Sequence, residues 1–243
     1  MKLTGKTALV VGGGTGIGRG IAESLAAEGC RVAISGRRED VLREVAEAWT
    51  GEPAILYHTV DVADRASTQK LVDWAIETLG QIDILTISSG TNIPNRTMEA
   101  MQPEDWDRVL QINVTGAYNC MHAVLPAMRQ RRDGLILNVS SISGKRAMPL
   151  GGIAYCASKF AQTALGTAVG LEVAADGVRV TNIYPGEVNT PLLEKRPTPV
   201  SAERKAAMLQ PEDLGAAAVM IASLPPRAHI PELVIKPTVQ EYM

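Results

Sequence analysis

The chain has 243 residues, 46% of them hydrophobic and 21% charged, with a formal net charge of −2. That balance is ordinary for a soluble globular protein and argues against the broad basic surface that binds nucleic acid or an anionic membrane. Three cysteines, Cys30, Cys120 and Cys156, are odd in number and lack metal-ligand spacing, which points to reduced thiols, no bound metal and a cytoplasmic setting.

The first apolar run, 7–11, reads as a strand, and glycines cut it too short for a signal-peptide core. The loop VVGGGTGIGRG follows and leads into a helix over 18–28. Its glycines fit G-x-x-x-G-x-G through Gly12, Gly16 and Gly18, with Thr15 and Ile17 in the same loop. A glycine loop between a strand and a helix is where an α/β nucleotide fold places phosphates, because the turn is tight and the amides of the helix start face the anion.

The second strand, 31–35, ends in AISGRRED. A site for NAD(H) usually has an Asp or Glu there for the ribose 2′-hydroxyl, whereas an arginine accommodates a 2′-phosphate. Arg37 and Arg38 stand there, and the first acids, Glu39 and Asp40, read as the opening turn of a helix over 39–49. NADP(H) is therefore preferred, with NAD(H) possible. A third strand, 54–59, precedes Asp61 and Val62, which would lie beside the adenine in such a fold; an Asp there also suits a plain turn.

A helix over 66–79, a strand over 82–87, a long helix over 106–129 and a strand over 134–139 follow. In the helix expected over 155–176, Tyr155 and Lys159 share one face at i and i+4, with only small residues between them. A free phenol titrates near pH 10, too high for proton transfer at neutral pH, and a neighbouring ammonium favours its ionised form. A strand over 179–183, a proline-bearing stretch over 185–210, a helix over 213–223 and a strand over 232–236 complete the chain. Strand alternating with helix predicts one α/β domain with a doubly wound parallel, Rossmann-like sheet. A loop as long as 185–210 is usually functional or mobile, so it reads as a substrate flap. The longest late apolar stretch, 214–224, is shorter than the ~20 residues of a membrane span.

The glycine loop, Tyr155/Lys159 and YPGEVNT at 184–190 resemble the short-chain dehydrogenase/reductase family over nearly the whole chain. The resemblance implies that Tyr155 is the acid/base and that Lys159 holds the nicotinamide ribose and lowers the phenol pKa. It implies a substrate-orienting serine at Ser141 of NVSSISG, although the fourteen-position spacing to Tyr155 is one longer than usual and keeps Ser143 open. Asn113 would complete a proton relay, Ser88, Ser89 and Gly90 would line the cofactor, and Pro185, Gly186, Val188 and Thr190 would hold its nicotinamide end. The family's N-N-A-G is replaced by Ile87-Ser88-Ser89-Gly90, and Val11 stands where a threonine is common. The expected activity is interconversion of a carbonyl and a secondary alcohol on a small molecule; the alternative is a nucleotide-binding regulatory protein with little turnover. The substrate cleft would be walled by 91–98, 145–153 and the flap, with Ile93, Met148, Leu192 and Leu193 as apolar groups and Lys145, Arg146, Lys195 and Arg196 as bases. The family also implies a homo-oligomer, a tetramer, pairing helices 106–129 and 155–176 through Ala161, Ala164, Gly166, Ala168 and Gly170.

Overall fold

Ala8 and Val10 of the first strand pack into one apolar core, and Leu9 and Val11 into another. A strand buried on both faces needs helices above and below it, and the computed structural model, which describes residues 1–241, has that arrangement. Its strands are β1 (Thr7–Val11), β2 (Arg31–Gly36), β3 (Leu56–Thr59), β4 (Ile84–Ile87), β5 (Gly134–Val139), β6 (Val178–Pro185) and β7 (Glu232–Ile235). They form one parallel sheet in the order β3-β2-β1-β4-β5-β6-β7. The helices are α1 (Gly16–Ala27), α2 (Glu39–Ala48), α3 (Arg65–Leu79), α4 (Pro103–Leu110), α5 (Gly116–Arg131), α6 (Ile153–Val173), α7 (Ala202–Ala206) and α8 (Pro211–Ala222). Residues of α1, α2 and α8 fill one core, and those of α3, α5 and α6 the other. This is the expected doubly wound, Rossmann-like sheet.

β1 lies between β2 and β4, with Val10 opposite both Ile34 and Thr86. The chain thus winds away from β1 in two directions, opening a crevice at the carboxyl ends of these strands, where open α/β sheets bind ligands.

Four local readings are corrected. The third and fourth strands each start two residues later than expected, and Asp83 instead accepts from the Thr7 backbone N–H at 2.9 Å. The helix expected over 106–129 starts at Pro103, where a missing N–H costs nothing, and widens into a π-helical turn at Gln111–Thr115 before α5. The stretch 185–210 carries a tight 3₁₀ turn, Pro191–Lys195, and the short helix α7, so it is not a bare loop. Among the small residues of α6, Gly166 and Gly170 face the sheet: a Cβ on Gly166 would fall 2.2 Å from Asn182 Oδ1, and one on Gly170 3.3 Å from Val180. Only Ala164 and Ala168 of that set are exposed.

Candidate active site

The crevice is a continuous groove of three adjoining cavities. The first, about 340 Å³, lies between β2 and the loops after β3 and β4; its walls include Gly12, Thr15, Gly36, Arg37, Arg38, Asp61, Val62, Ser89 and Gly90. The second, about 200 Å³, shares Gly12, Thr15, Ser89 and Gly90, and adds Gly16, Ile17, Tyr155, Lys159 and Thr190. The third, about 130 Å³, shares Ile17, Tyr155 and Thr190, and adds Ser141, Pro185, Gly186 and Val188. Every cofactor-binding residue expected from the sequence therefore lines this channel except Gly18, while the expected relay residue Asn113 lies buried behind its wall. That glycine stands one step behind: a Cβ there would lie 2.1 Å from Gly12 O, so its absence lets α1 approach β1. Gly12, at φ +85, is needed for conformation and space together, since a Cβ would meet the Ser89 amide at 2.6 Å.

This groove fits a nicotinamide dinucleotide. Ser89 presents a buried hydroxyl that has no hydrogen-bond partner. The N-terminus of α1 begins at Gly16, inside the second cavity, and supplies free amides for a pyrophosphate. Arg37 and Arg38 are exposed at the far end, with no carboxylate at the strand end beside them. Asp61 turns its carboxylate back on the Ala63 amide at 3.0 Å, as a turn residue does, while its residue still lines the wall. Among the described residues, no group of three or more His, Cys, Asp or Glu could hold a metal ion.

At the other end, Ser141 and the Tyr155 phenol line one cavity, and the Ser141 hydroxyl accepts from the Ser143 amide at 3.1 Å. Ser143 is buried in the turn, and Ser140 is taken up by Lys159 O and Thr163 Oγ1. Of the three serines, Ser141 is therefore the one that meets the tyrosine. The phenol pKa is raised, chiefly because burial disfavours the phenolate; the Ser141 hydroxyl and the Arg96 guanidinium pull it back. Lys159 is anchored by neighbours of its own. Its ammonium lies 5.7 Å from the Tyr155 ring centre and is committed to Val139 O at 3.0 Å and Gln162 Oε1 at 2.7 Å. Only 4% exposed, it is lowered to about 7 by burial.

Asn113 sits fully buried in the π-helical turn, a feature often found at functional positions. Its amide accepts from Thr91 N at 2.8 Å and donates to Thr91 O at 3.0 Å and to Ser158 Oγ at 2.9 Å. It thereby ties the loop after β4 to the helix that carries Tyr155 and Lys159. A Cβ on Gly90 would meet only Asn113 Oδ1 (3.5 Å) and Lys159 Nζ (3.6 Å), so the two groups face the same point of the groove.

Three residues were missed by sequence reasoning. Gln162, one turn beyond Lys159 on the same face of α6, holds the ammonium and donates to Asn138 Oδ1 at 2.8 Å; a polar residue on an otherwise buried helical face was its only signal. Arg96 and Glu187 line the third cavity; each lies in a segment expected at the substrate site, 91–98 and 185–210, but nothing local marks the individual residue. Conversely, Ile93 leaves the cleft to pack with Val109 and Ala154, and Lys145 pairs with Glu232 and lies 4.5 Å over the Tyr184 ring. Lys195 donates to Thr91 Oγ1 at 2.7 Å, while Met148, Leu192, Leu193 and Arg196 do line the cavity.

Residues 6–200 match the family model for short chain dehydrogenases. The chain is 35% identical over 239 residues, 98% of its length and 99% of the relative's, to an uncharacterised oxidoreductase of Staphylococcus saprophyticus. A serine dehydrogenase solved with NADP⁺ superposes with a TM-score of 0.89 at 28% identity, covering 97% of this chain and 96% of that one. A 3-ketoacyl-(acyl-carrier-protein) reductase from Brucella melitensis, solved with NADH, gives a TM-score of 0.88 at 28% identity over 97% and 98% of the two chains. With the sheet, the glycine loop and the Ser–Tyr–Lys set on one groove, the chain belongs to the short-chain dehydrogenase/reductase family of oxidoreductases.

Proposed function

We propose that the protein is an NADP(H)-preferring oxidoreductase that interconverts a carbonyl and a secondary alcohol. The observation that carries this reading is the channel itself, whose adjoining cavities lead from Arg37 to Ser141 and Tyr155. A bound nicotinamide nucleotide supplies or accepts the hydride. Ser141 and Tyr155 hold the substrate oxygen between them, so that the proton moves at Tyr155 Oη as the hydride moves at carbon. In the reducing direction the neutral Tyr155 phenol would give its Oη proton to the substrate oxygen and be left as phenolate; in the oxidising direction that phenolate would take the hydroxyl proton as hydride leaves the carbinol carbon for the nucleotide. Lys159, fixed by Gln162 and Val139 O, stands beside the ribose position, and Asn113 keeps the Thr91 loop against α6. Arg37 and Arg38 favour a 2′-phosphate, since β2 ends in Ser35 and Gly36 with no acid to repel it. Segment 185–210 covers the reacting end as a flap.

We read the setting as cytoplasmic, in keeping with three buried free thiols, and the protein as a homo-oligomer, a tetramer, using the exposed face of α6.

The test is Tyr155→Phe, assayed with both nucleotides against a panel of carbonyls and alcohols. Loss of a general acid/base is expected to lower the rate by about 10²–10⁴ while nucleotide affinity stays near that of the parent. Hydride transfer by the variant at the parent rate would overturn the mechanism. A parent that binds nucleotide yet turns over nothing in the panel would favour a regulatory nucleotide-binding role.

A further inference from the structure

Two guanidinium groups line the same cavity as Ser141 and Tyr155. Arg196 is 12% exposed and pairs with Glu187 at 3.0 Å; Arg204 reaches the same carboxylate from α7 at 2.9 Å. Glu187, the one carboxylate of the cavity wall among the described residues, is thus shared by two arginines.

Arg96 has no acid at all: among the described residues, none of the ion pairs includes it. It donates instead to three backbone carbonyls, from Nε to Ile93 O at 2.8 Å, from Nη2 to Lys195 O at 2.8 Å, and from Nη1 to Leu150 O. These use three of its five N–H groups and leave one on each terminal nitrogen. Neutral carbonyls fix the fork but leave its charge uncompensated. Its pKa is lowered by burial and by the like charge of Arg196, and raised by Tyr155. A part-buried cation held beside another cation is an arrangement that an anion relieves.

The place of that anion follows from the cavities. Arg96, Leu150 and Arg196 line both the 130 Å³ reaction cavity and an outer vestibule of about 690 Å³. The guanidiniums therefore stand at the junction, outward of the Ser141–Tyr155 pair. The inner cavity is smaller than the ~300–1,000 Å³ of pockets for drug-sized ligands, which suits a chain of a few carbons. Planar, bidentate donors match a carboxylate.

We propose that the substrate is a short hydroxy acid or oxo acid whose carboxylate is held by Arg96 and Arg196 while its hydroxyl or carbonyl lies between Ser141 and Tyr155. This rests on the oxidoreductase reading above, and the two fail differently.

The experiment compares kcat/KM for hydroxy acids of three to six carbons, such as lactate and 3-hydroxybutyrate, with their methyl esters and with 2-butanol. Charge-assisted hydrogen bonds predict that the parent favours an acid over its ester by about 10- to 100-fold. Arg96→Gln and Arg196→Gln are each expected to shrink that ratio by about tenfold, and Arg96→Lys to restore part of it. A merely structural arginine would lower acid and ester together and leave the ratio unchanged, which would overturn the proposal. A second readout needs no turnover: millimolar 3-hydroxybutyrate, but not its ester, should raise the Tm of the parent, and less so that of the variants. Turnover of 2-butanol and esters as fast as acids would sink the carboxylate site alone. No turnover of anything, with no Tm shift by the acids, would sink the oxidoreductase reading and this proposal with it.

Discussion

The stability of Lys159→Met relative to the parent, without nucleotide, is expected to be higher at pH 6 than at pH 9. The ammonium is 4% exposed, and its pKa is lowered from 10.5 to about 7 by burial alone, with no carboxylate to offset the cost. A base whose folded pKa is lowered binds fewer protons folded than unfolded between the two values. Parent stability therefore rises with pH from about 7 to 10.5, and below 7 the full cost of burying the charge is present. At ~1.4 kcal/mol per pKa unit, that cost is about 5 kcal/mol at pH 6. By pH 9 the folded lysine is neutral and the remaining cost is about 2 kcal/mol, so the parent–variant difference should move by about 3 kcal/mol. Methionine leaves Val139 O and Gln162 Oε1 without this donor, at ~1–3 kcal/mol each; that loss is the same at both pH values and cancels. Urea unfolding of both proteins at the two pH values measures the change, with the m-values checking that the unfolded states are alike. A parent–variant difference independent of pH would show that the ammonium is solvated, and the reasoning from burial would fall.

Gly36→Asp with Arg37→Ala is expected to shift preference towards NAD(H). A side chain at position 36 has room, since its Cβ would meet only Leu42 Cδ2 at 3.7 Å, and parallel titration of both nucleotides gives the answer; an unchanged preference would count against Arg37 as the selecting group. Gly18→Ala is expected to destabilise by about 1–3 kcal/mol, because a Cβ 2.1 Å from Gly12 O forces backbone apart; chemical unfolding that shows no loss would contradict the packing described for α1. Leu171 and Phe160 are 78% and 43% exposed on α6, so Leu171→Glu with Phe160→Glu is expected to break the oligomer, and sedimentation that shows a parent monomer of 25.9 kDa would refute that assembly.

The signals that were legible are local ones. The glycines at 12, 16 and 18 act within one turn and one helix start, and helical spacing puts Tyr155 and Lys159 on one face, although their role came only with the family resemblance. Strand and helix periods gave the sheet class for the same reason. Arg96 was hidden because its role comes from carbonyls at 93, 150 and 195, which only the folded chain brings together. The π-helical turn at 111–115 adds no distinctive composition, so the bend that presents Asn113 could not be read in advance. Gly166 and Gly170 show the converse: small residues signal a close approach, but not whether the approaching surface is a partner helix or, as here, the chain's own β6.

The strand order divides the labour of the chain at α3. At the far end of the channel the residues from Gly36 to Val62 come from before that helix and are joined by Ser89, Gly90 and Ile112, while the walls around Tyr155, Ile17 apart, come from the chain after β4. Along the channel the two sets meet where Gly12 touches Ser89 and where Gly16 faces Thr190; behind it β1 pairs with β4, α1 lies on α8 with Gly20 against Pro211, and Val62 meets Gly116 and Asn119. A first half grafted from a relative could therefore change the nucleotide while the reaction walls keep their shape, provided all of these junctions are copied with it.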